Sequence, residues 1–198
     1  KGKDMENTDS CVACPTGFFQ DSGGQTSCLP CIPGKFGNET GLTSCYECAI
    51  GKSIQISNAT SCLDCARGRY QNGIGQASCL PCIPGEFQNE TGKTECKLCA
   101  EGTASGEKNR TIPCGACTNG TKAQGRGNTK CQVCDGGESG TGPGGKCEPC
   151  AEGRYRKGKD LENTDSCVAC PIGSFQDSKG QTTCLPCIPG KFGNETGL

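Results

Sequence analysis

Every cysteine of the chain lies in a Cys-x-x-Cys pair, and the pairs recur about every 17 residues. The first cysteines stand at 11, 28, 45, 62, 79, 96, 114, 131, 147, 167 and 184, so eleven repeats follow one another with slips of one to three residues. Three residues after each second cysteine stands a glycine, from Gly17 and Gly34 through to Gly173 and Gly190, without exception. Two residues later an aromatic occurs in seven repeats: Phe19, Phe36, Tyr70, Phe87, Tyr155, Phe175 and Phe192. Four residues before the next first cysteine comes Gly24, Gly41, Asn58, Gly75, Gly92, Gly127, Asn163 or Gly180. Exchange between Gly and Asn with little else predicts a positive φ at that point. Each repeat therefore reads as Cys, tight turn, aromatic, loop, second tight turn, Cys.

Composition agrees with a crosslinked array. Leu, Ile, Val and Phe together number only 26, and there is no Trp, too little for an ordinary hydrophobic core. Cysteine makes up 22 of 198 residues, about 11%, the level of a disulfide scaffold. Gly or Pro falls every few residues and no apolar stripe of helical period survives, so short strands joined by turns are the expected elements. The expected fold is a small disulfide-rich repeat protein: an elongated, solenoid-like rod of 17-residue repeats, with short β-hairpins and little or no helix. It divides into 1–27 (repeat 1 with the end of a preceding one), 28–95 (repeats 2–5), 96–146 (divergent repeats 6–8), 147–166 (lengthened repeat 9) and 167–198 (repeats 10–11, which repeat 11–42).

A longer period lies on top. Residues 1–42 and 157–198 are identical at 37 of 42 positions, an offset of 156 residues or nine repeats. With no initiator Met or signal peptide at Lys1, the chain reads as a window on a longer array.

Three readings of the cysteines compete: disulfides, zinc sites and redox dithiols. Eleven redox motifs without a thioredoxin-like pattern are implausible. The Cys-x2-Cys-x13-Cys-x2-Cys spacing suits zinc, but the chain has no His. Glycosylation sequons decide for disulfides. They occur at Asn38, Asn58, Asn89, Asn109, Asn119 and Asn194, six where composition predicts roughly 1.6. Sequons imply the secretory route, where disulfides persist. The period favours a ladder in which each second cysteine joins the next first one: Cys14–Cys28, Cys31–Cys45, Cys48–Cys62, Cys65–Cys79, Cys82–Cys96, Cys99–Cys114, Cys117–Cys131, Cys134–Cys147, Cys150–Cys167 and Cys170–Cys184. Each bond closes a loop worth ~3 kcal/mol in the chain-entropy model. Cys11 and Cys187 are left to pair beyond the segment. Bonds within Cys-x-x-Cys, or a pattern overlapping two repeats, stay open.

Segments such as CVACPTGFFQDSGGQTSC (11–28) and CLPCIPGKFGNETGLTSC (28–45) resemble the ephrin-receptor-like cysteine-rich repeat. The Cys-x2-Gly-x-aromatic loop is also similar to the first module of TNF-receptor cysteine-rich domains. Repeats 6–8 keep Cys and Gly but carry Ala104, Lys122 and Ser139 at the aromatic position. The resemblance implies an extracellular, disulfide-laddered rod. Long arrays of this kind resemble protist surface proteins, including those of flagellar hairs (mastigonemes) and surface coats.

Other chemistry is sparse. Without His there is no Ser-His-Asp or Cys-His machinery, and no phosphate-binding Gly loop is present, so the chain is read as a non-enzyme. A net charge of −1 excludes a broad nucleic-acid footprint, and no apolar run approaches the roughly 18 residues of a membrane span. Asp4, Glu6 and Asp9 recur as Asp160, Glu162 and Asp165; they are read as a plain acidic loop, with calcium as the alternative, and no cofactor is expected. The aromatics are read as small core residues against neighbouring disulfides. The function these features favour is a structural subunit of a secreted, N-glycosylated filament or surface coat, whose partners are copies of itself or other filament subunits. The alternative is a receptor or stalk ectodomain binding a protein or glycan.

Overall fold

The computed structural model describes residues 11–118, 120–140, 144, 146–158 and 166–198. Among these residues there is no helix, and the regular structure is ten two-stranded antiparallel hairpins. The local cause is the turn after each second cysteine. The Pro15 carbonyl accepts a hydrogen bond from the Phe18 N–H (3.1 Å), with Gly17 between them at φ 83°. This is the position of a type II turn that glycine fills without steric cost. The chain then runs out as β1 (Phe18–Phe19) and returns as β2 (Leu29–Pro30), with Phe19 opposite Leu29. The same hairpin recurs down to Ser174–Phe175 with Leu185–Pro186.

Strands of two residues, three in the Glu138–Gly140 and Cys147–Pro149 hairpin, cannot hold together alone. The disulfides close them. Ten bonds join each second cysteine to the next first one, from Cys14–Cys28 to Cys170–Cys184, with Cα–Cα distances of 5.4 to 5.8 Å. Cys11 and Cys187 take no part in these ten bonds.

The core is the ladder itself. The second cysteines from Cys31 to Cys170 are almost completely buried, whereas the aromatics are only half-buried and Phe192 is exposed. Phe36 does pack against the Cys48–Cys62 disulfide of the following repeat and against the Tyr46 ring, 5.7 Å away. The residue after the aromatic is buried more deeply, and in several repeats it is glutamine. Gln71, Gln88 and Gln176 each donate from Nε2 to the carbonyl seven residues on (2.7 to 2.8 Å) and accept at Oε1 from the N–H two residues on. Gln20 makes the same two bonds from a half-buried position. Each glutamine braces the interior of its own loop, which satisfies a polar group that burial would otherwise penalise.

Neighbouring repeats are stitched by backbone. Between repeats 1 and 2, Gly17 N–H donates to Gly37 O, Gln20 N–H to Leu42 O, Cys31 N–H to Gly17 O and Gly41 N–H to Cys14 O, all at 2.8 to 3.0 Å. Gly137, Arg156, Cys150 and Gly180 make the equivalent four bonds among repeats 8, 9 and 10. A second layer of contact skips one repeat. A Cβ on Gly17 would collide with the carbonyl of Asn58, two repeats on, and one on Gly34 would collide with that of Gly75. The turn glycine is therefore fixed twice, by its φ and by this approach.

The expected positive φ at the second turn is found at Gly24, Gly41, Asn58 (54°), Gly75, Gly92, Gly127 and Gly180; Asn163 lies outside the described residues. The structure adds a simpler rule. The described second-turn residues stand seven positions after the first-turn glycine, and this holds in repeats 6 and 8, where Asn109 follows Gly102 and Gly144 follows Gly137. The slips in cysteine spacing there fall after the second turn.

By contacts the chain forms two compact bodies, Lys1–Cys82 with Gln88–Cys96, and Ile83–Phe87 with Lys97–Leu198. The hairpin, disulfide and stitching pattern is the same within each.

Candidate functional surface

With its cysteines spent on the ladder, the chain has surface rather than a cleft to work with. The hollow lined by Ser53, Ile56, Leu63 and Arg69 is shallow and open. No helix among the described residues is long and apolar enough to cross a membrane. No group of three or more His, Cys, Asp or Glu among them is placed to hold a metal ion. The acidic residues Asp4, Glu6, Asp9, Asp160, Glu162 and Asp165 lie outside the described residues.

The sequon asparagines fall into two geometries. Asn38, Asn89 and Asn194 occupy the same place, just after a buried residue (Gly37, Gln88, Gly193), and all three are exposed. Asn58 and Asn109 are also exposed, but they form the second turn itself, at φ 54° and 55°. Around Asn58 the backbone is engaged: its N–H donates to Cys31 O, and Ala59 O accepts from Gly37 N–H. Asn119 lies outside the described residues.

Each hairpin has two faces. Directly opposed residues of an antiparallel pair share a side. One side carries the aromatic and its partner: Phe19 with Leu29, Phe36 with Tyr46, Tyr70 with Leu80, Tyr155 with Val168, Phe175 with Leu185. The other side carries cross-strand ion pairs, Lys35–Glu47 (3.3 Å) and Lys52–Asp64 (2.6 Å), both well exposed. Exposed pairs of this kind contribute little to stability.

In repeat 7 the arrangement changes. Lys122 replaces the aromatic and reaches Asp135 (2.8 Å) and Glu138 (3.1 Å), its side chain 13% exposed. Its pKa is raised above the ordinary lysine value, chiefly by the hydrogen bond to Asp135; burial opposes the shift, and Glu138 adds to it. Nothing at the sequence level marks this triad, because its members come from different repeats. The buried glutamines were equally hidden: they recur in phase, but only in some repeats.

No curated protein shows a significant match to the chain. The family model described as "Tyrosine-protein kinase ephrin type A/B receptor-like" matches it over residues 4–48, 51–86, 74–109 and 158–197. The matched segments carry the Cys pairs, the turn glycines and most of the aromatics, whereas the unmatched 110–157 contains most of the divergent repeats. Repeats of this family are a non-catalytic, extracellular or cell-surface domain type, and a ladder of ten disulfides suits that setting. The chain belongs to the ephrin-receptor-like cysteine-rich repeat family.

Proposed function

We propose that the chain is a structural segment of an N-glycosylated extracellular filament or surface coat. The 156-residue period supports this reading most. The ladder requires its cysteines, its two turns and its buried positions, and leaves the exposed positions unconstrained. Yet the exposed Asp21, Asn38 and Glu39 return as Asp177, Asn194 and Glu195, also exposed, and Lys35 returns as Lys191. A periodic assembly needs the same lateral surface at fixed intervals. Electron micrographs of native material test this. A fibre whose axial repeat corresponds to 156 residues, or to an integer fraction of that length for staggered copies, is expected. Isolated particles without periodicity would leave duplication alone as the explanation.

Glycans belong to the same reading. Asn38, Asn89 and Asn194 are proposed to carry N-linked sugar, because exposed loop positions are accessible to the transferase. Mass spectrometry of native glycopeptides checks this, and finding all three unmodified would contradict a secretory origin.

One observation favours a receptor or stalk ectodomain instead. Repeats 6–8 depart from the common surface, as a ligand-binding module within an otherwise monotonous stalk would, and they hold the Lys122 triad.

A further inference from the structure

We propose that Asn58 is a site of N-linked glycan transfer that is open only before repeat 3 docks on repeats 1 and 2, and shut once it has. The sequon is Asn58-Ala59-Thr60, inside the loop closed by the Cys48–Cys62 disulfide. Both preceding repeats hold it. Asn58 N–H donates to Cys31 O (2.8 Å) and Ala59 O accepts from Gly37 N–H (2.9 Å), which ties it to repeat 2. The Asn58 carbonyl lies against Gly17 of repeat 1, where a Cβ would collide with it. Asn58 itself sits at φ 54°, and Ala59 is 5% exposed, packed with Cys48 and Ile54.

Transfer needs more than an exposed asparagine. The amide nitrogen forms a bond to the anomeric carbon of an oligosaccharide. The bond from that carbon to a lipid-linked pyrophosphate breaks, the pyrophosphate leaves with the electron pair, and the amide gives up one proton. The enzyme must grip the asparagine and the hydroxyl residue two positions on together, since both define the acceptor. The chain between them has to enter its site. In the folded repeat that chain is Ala59, buried and bonded at its carbonyl. Lifting the sequon out breaks both inter-repeat hydrogen bonds, uncovers Ala59 and removes the Asn58 carbonyl from Gly17. A local opening of that size leaves roughly a tenth or less of the molecules competent at any moment. The Asn58 side chain is exposed, so a sugar added earlier is compatible with the closed repeat.

The other sequon geometry sets the contrast. Asn38-Glu39-Thr40 is exposed at every residue, and the inter-repeat bonds attach on either side of it, at Gly37 and Gly41. Asn194-Glu195-Thr196 is likewise exposed throughout, with the bonds at Gly193 and Gly197. Both can be lifted toward a transferase without unstitching the ladder. Asn38 therefore accepts sugar before or after folding, and Asn58 only before. Occupancy at Asn58 reports which comes first in repeat 3, glycan transfer or closure of Cys48–Cys62.

This acceptor site deepens the N-glycosylated reading and rests on it for the encounter with a transferase in the cell. The full chain, made without sugar and oxidised, is incubated with oligosaccharyltransferase and a lipid-linked oligosaccharide. Glycopeptides carrying Asn38 and Asn58 are then quantified in the same sample. Asn58 should be modified about tenfold or more slowly than Asn38. In the reduced chain the two rates should come together. A Cys48→Ser/Cys62→Ser variant, oxidised elsewhere, should release Asn58 while leaving Asn38 unchanged, which covers aggregation of the reduced chain. Equal rates in the oxidised wild type overturn the proposal, as does an Asn58 that stays slow once its loop is open. Sugar in native material alongside equal rates in vitro would sink this inference alone. The expected rates in vitro alongside native material without sugar would sink the N-glycosylated reading alone.

Discussion

Repeats 1–5 and repeats 6–8 build the same hairpin from different means. In the first group an aromatic stands at its fixed place in four of five repeats, and loop lengths are uniform, with every disulfide spanning 14 residues. In the second the aromatic gives way to Ala104, Lys122 and Ser139, and the disulfides span 15, 14 and 13 residues. Even so, the cross-strand pairing persists, and Gly102 still abuts the backbone of Gly144 two repeats on. The aromatic is therefore an accessory to the fold. Among the described second turns, what does not vary is the seven-residue interval from the first turn, because the first turn supplies the stitching bonds to the next repeat and the second turn covers a glycine two repeats earlier. In repeats 6 and 8 the length variation falls between the second turn and the cysteine.

That comparison is broken most severely by moving an inserted residue. One glycine added between Gly37 and Asn38 lengthens the seven-residue interval. It should disrupt the stitching on both sides of repeat 2, at least four hydrogen bonds of ~1 kcal/mol each. The same glycine added between Leu42 and Thr43 should cost under ~1 kcal/mol, since repeat 6 already carries an extra residue after its second turn. Denaturant titration of the two variants decides it; equal losses would refute the rule.

Gly34→Ala tests the contact two repeats away. It combines a φ of 87° with collision against the Gly75 backbone, and should cost more than the ~1–3 kcal/mol of backbone strain alone. Gly102→Ala should cost as much in the divergent group, because its surroundings are the same. Thermal melts that distinguish the two strongly would show that the groups are locked differently.

Phe36→Ser should be milder, ~1–2 kcal/mol, below the ~3–5 kcal/mol of a fully buried phenylalanine. Phe36 is half-buried, and Ser53 and Ser139 occupy its place elsewhere without loss of the hairpin. A melt showing global unfolding would return the aromatic to the core.

The smallest effect is a pH response confined to the divergent group. Lys122 has a folded-state pKa above its unfolded value. Its contribution is fully present below the unfolded lysine pKa and fades as pH rises through the folded one. Stability near repeats 7 and 8 should thus fall in the alkaline range, and Lys122→Met should remove that dependence. An unchanged alkaline profile in the variant would show that the triad contributes nothing.

How far the sequence could be read follows from the same contrast. Cysteines, turn glycines and hairpins were legible because they recur at a constant phase. The second turn was legible only in part. Counting back from the next cysteine finds Gly41 and Asn58 but passes over Asn109 and Gly144, since the anchor itself slips; counting forward from the turn glycine finds every described one. The glutamine brace stayed hidden because Ile54, Ala123 and Arg156 take its place in other repeats. The contact between Gly17 and Asn58 leaves no sequence trace beyond two invariances, each already explained by φ. On the candidate surface the sequons were plain, whereas the two settings of their asparagines depend on backbone conformation.

The hairpins and their stitching depend on which sulfurs are joined. Non-reducing peptide mapping of the native chain measures that directly. The account predicts peptides linking Cys31 to Cys45 and Cys65 to Cys79. A Cys28–Cys31 link within one pair, or free thiols with stoichiometric zinc, would contradict it.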